Sequence, residues 1–561
     1  MAEKTPSPEN EAPPGSPPAA LGEVSQTRWE ALVWIAVVVG VGVVLFFANF
    51  HSNPLYYVDE ATNSYLGRMK LETLLSGAPM RLGPVKYADY PRMSGYTFLV
   101  GLIGKVTRDA GFASRYLSGI CGIGFAVLIL LVARIQLVSR LAIAVVVGTF
   151  LSSNVALIEF RYGFNCELIA MSLMATYYFS LLLLLKDEAA FGKRLAWTIG
   201  ASLAACLTLL NELFSGAAAC LLVLGLMAVQ CLHTRRRDKR NLLLIAVPVA
   251  FDVGALAILF SNPLFVEEVR RMLGPRSPVG QLTLKDLYWN LCRALESSPL
   301  LRLEWVFLSI SLVSLVFAIV SLARTKRLGH LLAFAALLGP FVFITTMIGD
   351  RNFYNRAISM YFPVFFASLI LTIRSAEKTE FWRQPHRSPL GLTARISLGL
   401  LLLAGAAERI QGVHAYFAKP QKYFNDIPFD ANFRQAAAQA KASVARNQLL
   451  LVPPHLLPFV DHPYTTDYFL SQLCAGRRHA IYAPDTDTIS ERLLYHCQLR
   501  DVHVAVLHPV FYENDARSWP DGPAIVRNIV TTWELLGSVG DFAIFRNPSP
   551  SSPSVRLIDQ R

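Results

Sequence analysis

Long apolar runs, separated by short basic loops, set the terms for this chain. Runs of roughly 20 apolar residues are long enough to cross a bilayer as helices, and they recur from residue 31 to residue 408. In hydrocarbon every backbone polar group needs an internal partner, so such runs fold as helices. Only 16% of the 561 residues are charged and 53% are hydrophobic, against about 25% charged in soluble domains. The class is therefore a polytopic membrane protein, mainly α-helical. Eleven spans are expected, near 31–50, 115–137, 141–157, 167–185, 195–211, 213–231, 241–260, 301–322, 329–347, 357–373 and 391–408.

The short stretch 94–106 decides the orientation. As a helix its 13 residues reach about 20 Å, short of a hydrocarbon core of about 30 Å. It reads as a juxtamembrane helix, which makes 51–114 one large outer loop. The short inner loops then contain seventeen Lys and Arg, Arg235-Arg236-Arg237 among them, and the short outer loops only Arg161, Arg351 and Arg356. This is the positive-inside pattern. Residues 1–29 are rich in Pro, Ser and Glu and are expected to form a disordered cytoplasmic tail. The first run lacks a small-residue cleavage site and reads as an anchor.

The net charge of +12 does not indicate nucleic acid, because the basic residues flank apolar runs and face anionic lipid. The eight cysteines show no C-x-x-C and no zinc-ligand spacing. Six fall in or beside spans and read as packing residues, while Cys474 and Cys497 could pair in an oxidising space. Gly119, Gly122 and Gly124 permit close helix contact. Beyond about 415 the pattern changes. Strand-like runs at 448–452, 480–482, 502–507, 534–536 and 542–545 alternate with helical stretches at 432–446, 464–474, 488–497 and 523–533. That alternation predicts a small α/β domain over 415–561, on the outer side. It contains no phosphate-binding glycine motif, and its histidines have no ligand spacing.

The chemistry-bearing residues gather at the outer ends of the spans. The first outer loop carries Asp59, Glu60, Lys86, Asp89 and Arg92; later loops add Glu159, Arg161, Glu167 and Arg356, with Tyr361 just beyond. Acids beside hydrocarbon are costly and mark function more often than solvated ones do. Four stretches in this set resemble a known family: Val58-Asp59-Glu60-Ala61, Asp89-Tyr90-Pro91-Arg92-Met93-Ser94-Gly95-Tyr96, Phe160-Arg161-Tyr162-Gly163-Phe164-Asn165, and the run from Arg356 to Pro363. Their order and spacing over about 30–410 resemble the polytopic glycosyltransferases of the GT-C fold group, which use polyprenyl-phosphate sugars. The closest resemblance is to the protein O-mannosyltransferase and aminoarabinose-transferase-like families.

The resemblance implies transfer of a sugar from a polyprenyl-phosphate donor to a hydroxyl of a lipid, glycan or protein acceptor. The reaction would occur on the extracytoplasmic face of a plasma or inner membrane. It implies Asp59 as base with Glu60 as a second catalytic residue beside it, and Asp89 as an acid that assists a metal or the acceptor; a divalent cation is compatible with this set, with no ligands assigned. Glu167 and Tyr361 join Asp89 in that assisting group. Tyr90 and Arg92 depart from the family's usual Lys and second Pro, so Lys86 or Arg92 would take over the donor phosphate, with Arg161 and Arg356 as the other candidates. Two rival readings remain: a transporter or flippase, for which Asp252 inside a span is the one plain candidate, and a non-catalytic scaffold of the same fold.

Overall fold

The computed structural model describes residues 28–51, 58–76, 94–137, 139–163, 166–186, 189–233, 239–260, 305–325, 328–347, 354–377, 405–415, 429–445, 448–460, 465–466, 499–510 and 522–551. Positions 266, 285, 289, 417, 418 and 462 stand alone, and some side chains within these ranges, Asp59 and Arg356 included, are not described.

The apolar runs form helices close to the expected limits: α1 Arg28–Phe47, α2 Val58–Ser76, α3 Ser94–Thr107, α4 Ala113–Gln136, α5 Arg140–Leu151, α6 Asn154–Glu159, α7 Cys166–Leu185, α8 Phe191–Asn211, α9 Leu213–His233, α10 Lys239–Phe260, α11 Trp305–Thr325, α12 Leu328–Met347 and α13 Tyr354–Glu377. Five stretches among the described residues are long and apolar enough to cross a membrane: Trp29–Phe47, Ala113–Gln136, Cys166–Leu185, Phe191–Asn211 and Leu242–Phe260. The span expected at 391–408 lies largely outside the described residues.

One expected span is two helices. α5 ends at Leu151 and α6 begins at Asn154, because the Ser153 hydroxyl accepts the Ala156 amide at 3.1 Å and starts a new helix. The stretch 94–106 is the helix α3, whose buried side (Tyr96, Thr97, Val100) packs on α2 while Phe98, Leu102 and Val106 face outward. That two-sided character suits the membrane interface.

α4 and α7 form the centre of the bundle, with α1, α8 and α13 packed around them. Phe46, Phe125, Phe150, Phe160, Phe362 and Phe366 bring α1, α4, α5, the turn after α6, and α13 together, with ring centroids 5.1–6.4 Å apart. Rings at such spacing contribute beyond their buried area. Gly119 lies under the Phe47 ring and Gly122 between Phe46 and Phe160, where any larger residue would have to displace those rings.

The C-terminal part is a five-stranded sheet, with α14 Ala431–Ala442 and α15 Gly522–Thr532 beside it. Its strands are β1 Leu449–Leu451, β2 Thr465–Thr466, β3 Val502–Leu507, β4 Glu534–Val539 and β5 Phe542–Arg546, in the order β2-β1-β3-β5-β4. β2, β1 and β3 run parallel; β3, β5 and β4 are antiparallel. Gly540, at φ +56, makes the tight β4–β5 turn that most other residues resist. The helix expected from 464 is corrected at its start, where Thr465 and Thr466 pair in parallel with Leu450 and Leu451. The strand expected at 480–482 and the helix at 488–497 lie outside the described residues, as do Cys474 and Cys497.

The hydrophobic core of this sheet does not stop at the domain edge. Phe50, Ala61, Tyr65, Leu66 and Phe112 share it with Phe433, Leu450, Val504 and Phe545. α2 therefore packs on α3 from one side and on the C-terminal domain from another.

Candidate active site at the outer helix ends

Asp59 occupies the second position of α2, and Glu60 the third. Glu60 is fully buried and paired with the fully buried Arg115 at the start of α4. Arg115 Nε and Nη2 donate to the two carboxylate oxygens, the second bond at 2.6 Å, and Nη1 donates to the Phe50 carbonyl. A two-pronged pair of this kind fixes orientation as well as charge. Ser114 Oγ donates to the Glu60 carbonyl at 3.0 Å, and the hydroxyls of Ser64 and Ser114 meet at 3.0 Å. The first turn of α2 is thus held to α4 by backbone, hydroxyl and ion pair together.

The Arg161-Tyr162-Gly163 turn closes over the same place. Asn63 Nδ2 donates to the Gly163 carbonyl at 3.0 Å. Any side chain at Gly163 would run into Ser114 and come within 2.9 Å of Glu60 Cγ. Arg161 is fully buried; Nη1 and Nη2 donate to the carbonyls of Leu45 and Ala48 at 2.7 and 2.6 Å. Helix C-termini leave carbonyls without intrahelical partners, and Arg161 and Arg115 between them take three at the end of α1. The Arg161 guanidinium also lies 5.1 Å from the centre of the Phe417 ring.

Two further acids are enclosed beside this turn. Glu159 Oε2 and Glu167 Oε1 are buried and accept no hydrogen bond among the described residues, while Glu167 Oε2 accepts from Ser118 at 3.4 Å. Glu159 stands at the end of α6, outside the spans. Burial holds its proton on, raising its pKa to about 8. Tyr96, on α3, is wholly buried within electrostatic reach of Glu167, and burial pushes its phenol well up. Its amide donates to Asn211 Oδ1 at the end of α8 at 2.7 Å, which ties α3 to the bundle.

The structure brings Glu60, Arg161 and Glu167 to one end of the bundle, beside the backbone of Asp59. Tyr361, near the start of α13, is buried between the rings of Phe341 and Phe365. The side chains of Asp59 and Arg356, and all of Lys86, Asp89 and Arg92, lie outside the described residues. Sequence reading missed Arg115, which served there only as the start of a span. The available signal was a lone cation opening an apolar run, downstream of the Asp59-Glu60 couplet.

A multi-helix membrane bundle in which the stretch between α1 and α4 forms helices on its surface, with a small α/β domain seated on that stretch, is the architecture these elements define. No protein-family model and no curated protein sequence matches the chain. Solved structures do. The chain resembles ArnT from Cupriavidus metallidurans in the apo state, with TM-score 0.53 and 14% identity, covering 93% of this chain and 99% of that one. It resembles the same protein bound to undecaprenyl phosphate with TM-score 0.55 and 14% identity, covering 93% and 100%. The likeness runs through bundle and C-terminal domain alike, and the fold is that of the GT-C group.

Proposed function

We propose that the chain is an integral membrane glycosyltransferase. In this reading it transfers a sugar from a polyprenyl phosphate to an acceptor hydroxyl on the extracytoplasmic face, with the N-terminus cytoplasmic and the C-terminal domain outside. One observation carries the reading: the fold matches, over nearly the whole of both chains, a protein solved with undecaprenyl phosphate bound. The seventeen-to-three loop asymmetry supports the orientation.

The donor's leaving group is a phosphate, which departs as a stable anion and needs no proton. The site must then supply a base and cations. The Asp59 carboxylate takes the acceptor proton as that oxygen attacks the anomeric carbon. The bond from that carbon to the phosphate oxygen breaks, polyprenyl phosphate leaves, and the configuration inverts. Lys86, Arg92 and Arg356 receive the phosphate charge, arginine's planar fork suiting its oxygens. Asp89, Glu167 and Tyr361 serve the acceptor side or a divalent cation. Glu60 and Arg161, each engaged within the protein, position the loop that carries the base.

The test is purified protein in lipid nanodiscs, given labelled polyprenyl-phosphate sugar and a lysate of acceptors. Transfer is expected. Asp59→Asn should lose about 10²–10⁴-fold in rate while eluting as the wild type does. Undiminished turnover in that variant would remove the base assignment, and label carried across a proteoliposome membrane without product would favour a transporter.

A further inference from the structure

Asp252 is the one carboxylate placed away from the ends of the bundle helices among the described residues. It belongs to α10, and it does not stand alone. Cys206 of α8 and Cys220 of α9 meet it, so that a thiol sulfur from each and a carboxylate oxygen all lie within 4.8 Å of one another. Cys206 Sγ is 3.6 Å from Asp252 Oδ1. The three residues are 5%, 6% and 9% exposed, and the second carboxylate oxygen, Oδ2, is buried with no hydrogen-bond partner among the described residues. At a rise of about 1.5 Å per residue, the cluster lies about 7–12 Å below the outer ends of the three helices.

A buried carboxyl with an idle oxygen, in a lipid-facing helix, is an expensive arrangement unless it binds something. The donor set suggests what. Two thiolates and a carboxylate suit a divalent ion of intermediate softness, and zinc takes sulfur at about 2.3 Å and carboxylate oxygen at about 2.1 Å. In a tetrahedron those bond lengths put a sulfur and an oxygen about 3.6 Å apart, which is the separation found here. A water molecule can take the fourth corner and donate to Oδ2.

We propose that Cys206, Cys220 and Asp252 form a zinc site that fastens α8, α9 and α10 together beneath the outer face. Binding releases two thiol protons, and the two thiolates cancel the charge of the ion, so no net charge is added by those three partners. The site is separate from Asp59 and from any transfer reaction; its role is to hold three helices at one depth. Residues 14 apart on consecutive helices, with the third partner on the next helix, present no ligand spacing along the sequence, which is why the cysteines read as packing residues there.

Full-length protein in nanodiscs, kept reduced, stripped with chelator and dialysed against micromolar Zn²⁺, should retain one zinc per chain by elemental analysis. Co²⁺ in its place should give the near-ultraviolet charge-transfer band of a thiolate ligand. Cys206→Ser and Cys220→Ser should each weaken zinc binding at least tenfold. Asp252→Asn, which leaves both thiols, should weaken it as well and change the cobalt spectrum. Wild-type protein that holds no stoichiometric zinc and shows no thiolate–cobalt band overturns the proposal whatever the variants do. So does zinc retained in full by a Cys206→Ser/Cys220→Ser double variant, or a Cys206–Cys220 disulfide in protein purified without reductant.

Discussion

Arg115 makes three contacts at one end of the bundle: the Glu60 carboxylate, the Phe50 carbonyl just beyond α1, and, 5.2 Å away, the Phe112 ring. Neither member of the Arg115–Glu60 pair has any solvent exposure. Removing one partner of a buried pair leaves the other charged and unpaired, which costs about 3–5 kcal/mol. Arg115→Ala should therefore lower the unfolding midpoint sharply in detergent. Adding Glu60→Gln should recover part of that loss, and a single variant as stable as wild type would show that the pair is not holding α2. At this scale the sequence was half legible. The Asp59-Glu60 couplet stood out because acids rarely follow an apolar run without a reason. What Glu60 pairs with was hidden, because Arg115 is 55 residues on and looks like any cation at a helix start. Arg161 was conspicuous as a cation but not in its partners, since backbone carbonyls leave no trace in side-chain patterning.

Among the elements, α2 and α3 pack extensively and cross at one close approach. Gly67 and Gly101 face each other there, and a Cβ on Gly67 would lie 2.7 Å from the Gly101 nitrogen and the Thr97 carbonyl oxygen. The obstacle is backbone, which cannot swing aside as a side-chain tip can. Gly101→Ala should separate the two helices at a cost of about 1–3 kcal/mol, the range for overpacking. Because α2 carries Asp59, transfer should fall with stability in that variant; wild-type stability and rate together would disprove the close crossing. Helix limits were readable because long apolar runs admit little else in a bilayer. The division at Ser153 was not, because a capping hydroxyl inside an apolar stretch resembles a tolerated polar residue. Thr465 and Thr466 form a strand because Leu450 and Leu451 lie alongside them, a tertiary fact that overrides a weak local preference.

At the scale of the whole molecule, the C-terminal domain and the helical stretch between α1 and α4 form one packed unit. Phe459 rests directly on Gly111, in reach of Phe429 and Phe433, while Arg68 of α2 donates to the Pro458 carbonyl at 3.4 Å. Phe459→Ala should cost about 2–4 kcal/mol. Hydrogen exchange in α2 should then speed up together with exchange in β1 and β3; faster exchange in the sheet alone would mean that the domain is merely tethered. The strand–helix alternation was legible, but the domain's seat was not, since nothing in the sequence around Phe50, Tyr65 and Phe112 marks a partner so far along the chain. The shared core also imposes an order on biogenesis. A ribosome delivers α2 hundreds of residues before β3, so the apolar side of the first loop stays uncovered throughout insertion of the bundle. Only the segment from Phe433 to Phe545 covers it, and a chain that lacked that segment would leave the greasy surface open to the quality-control machinery of the membrane.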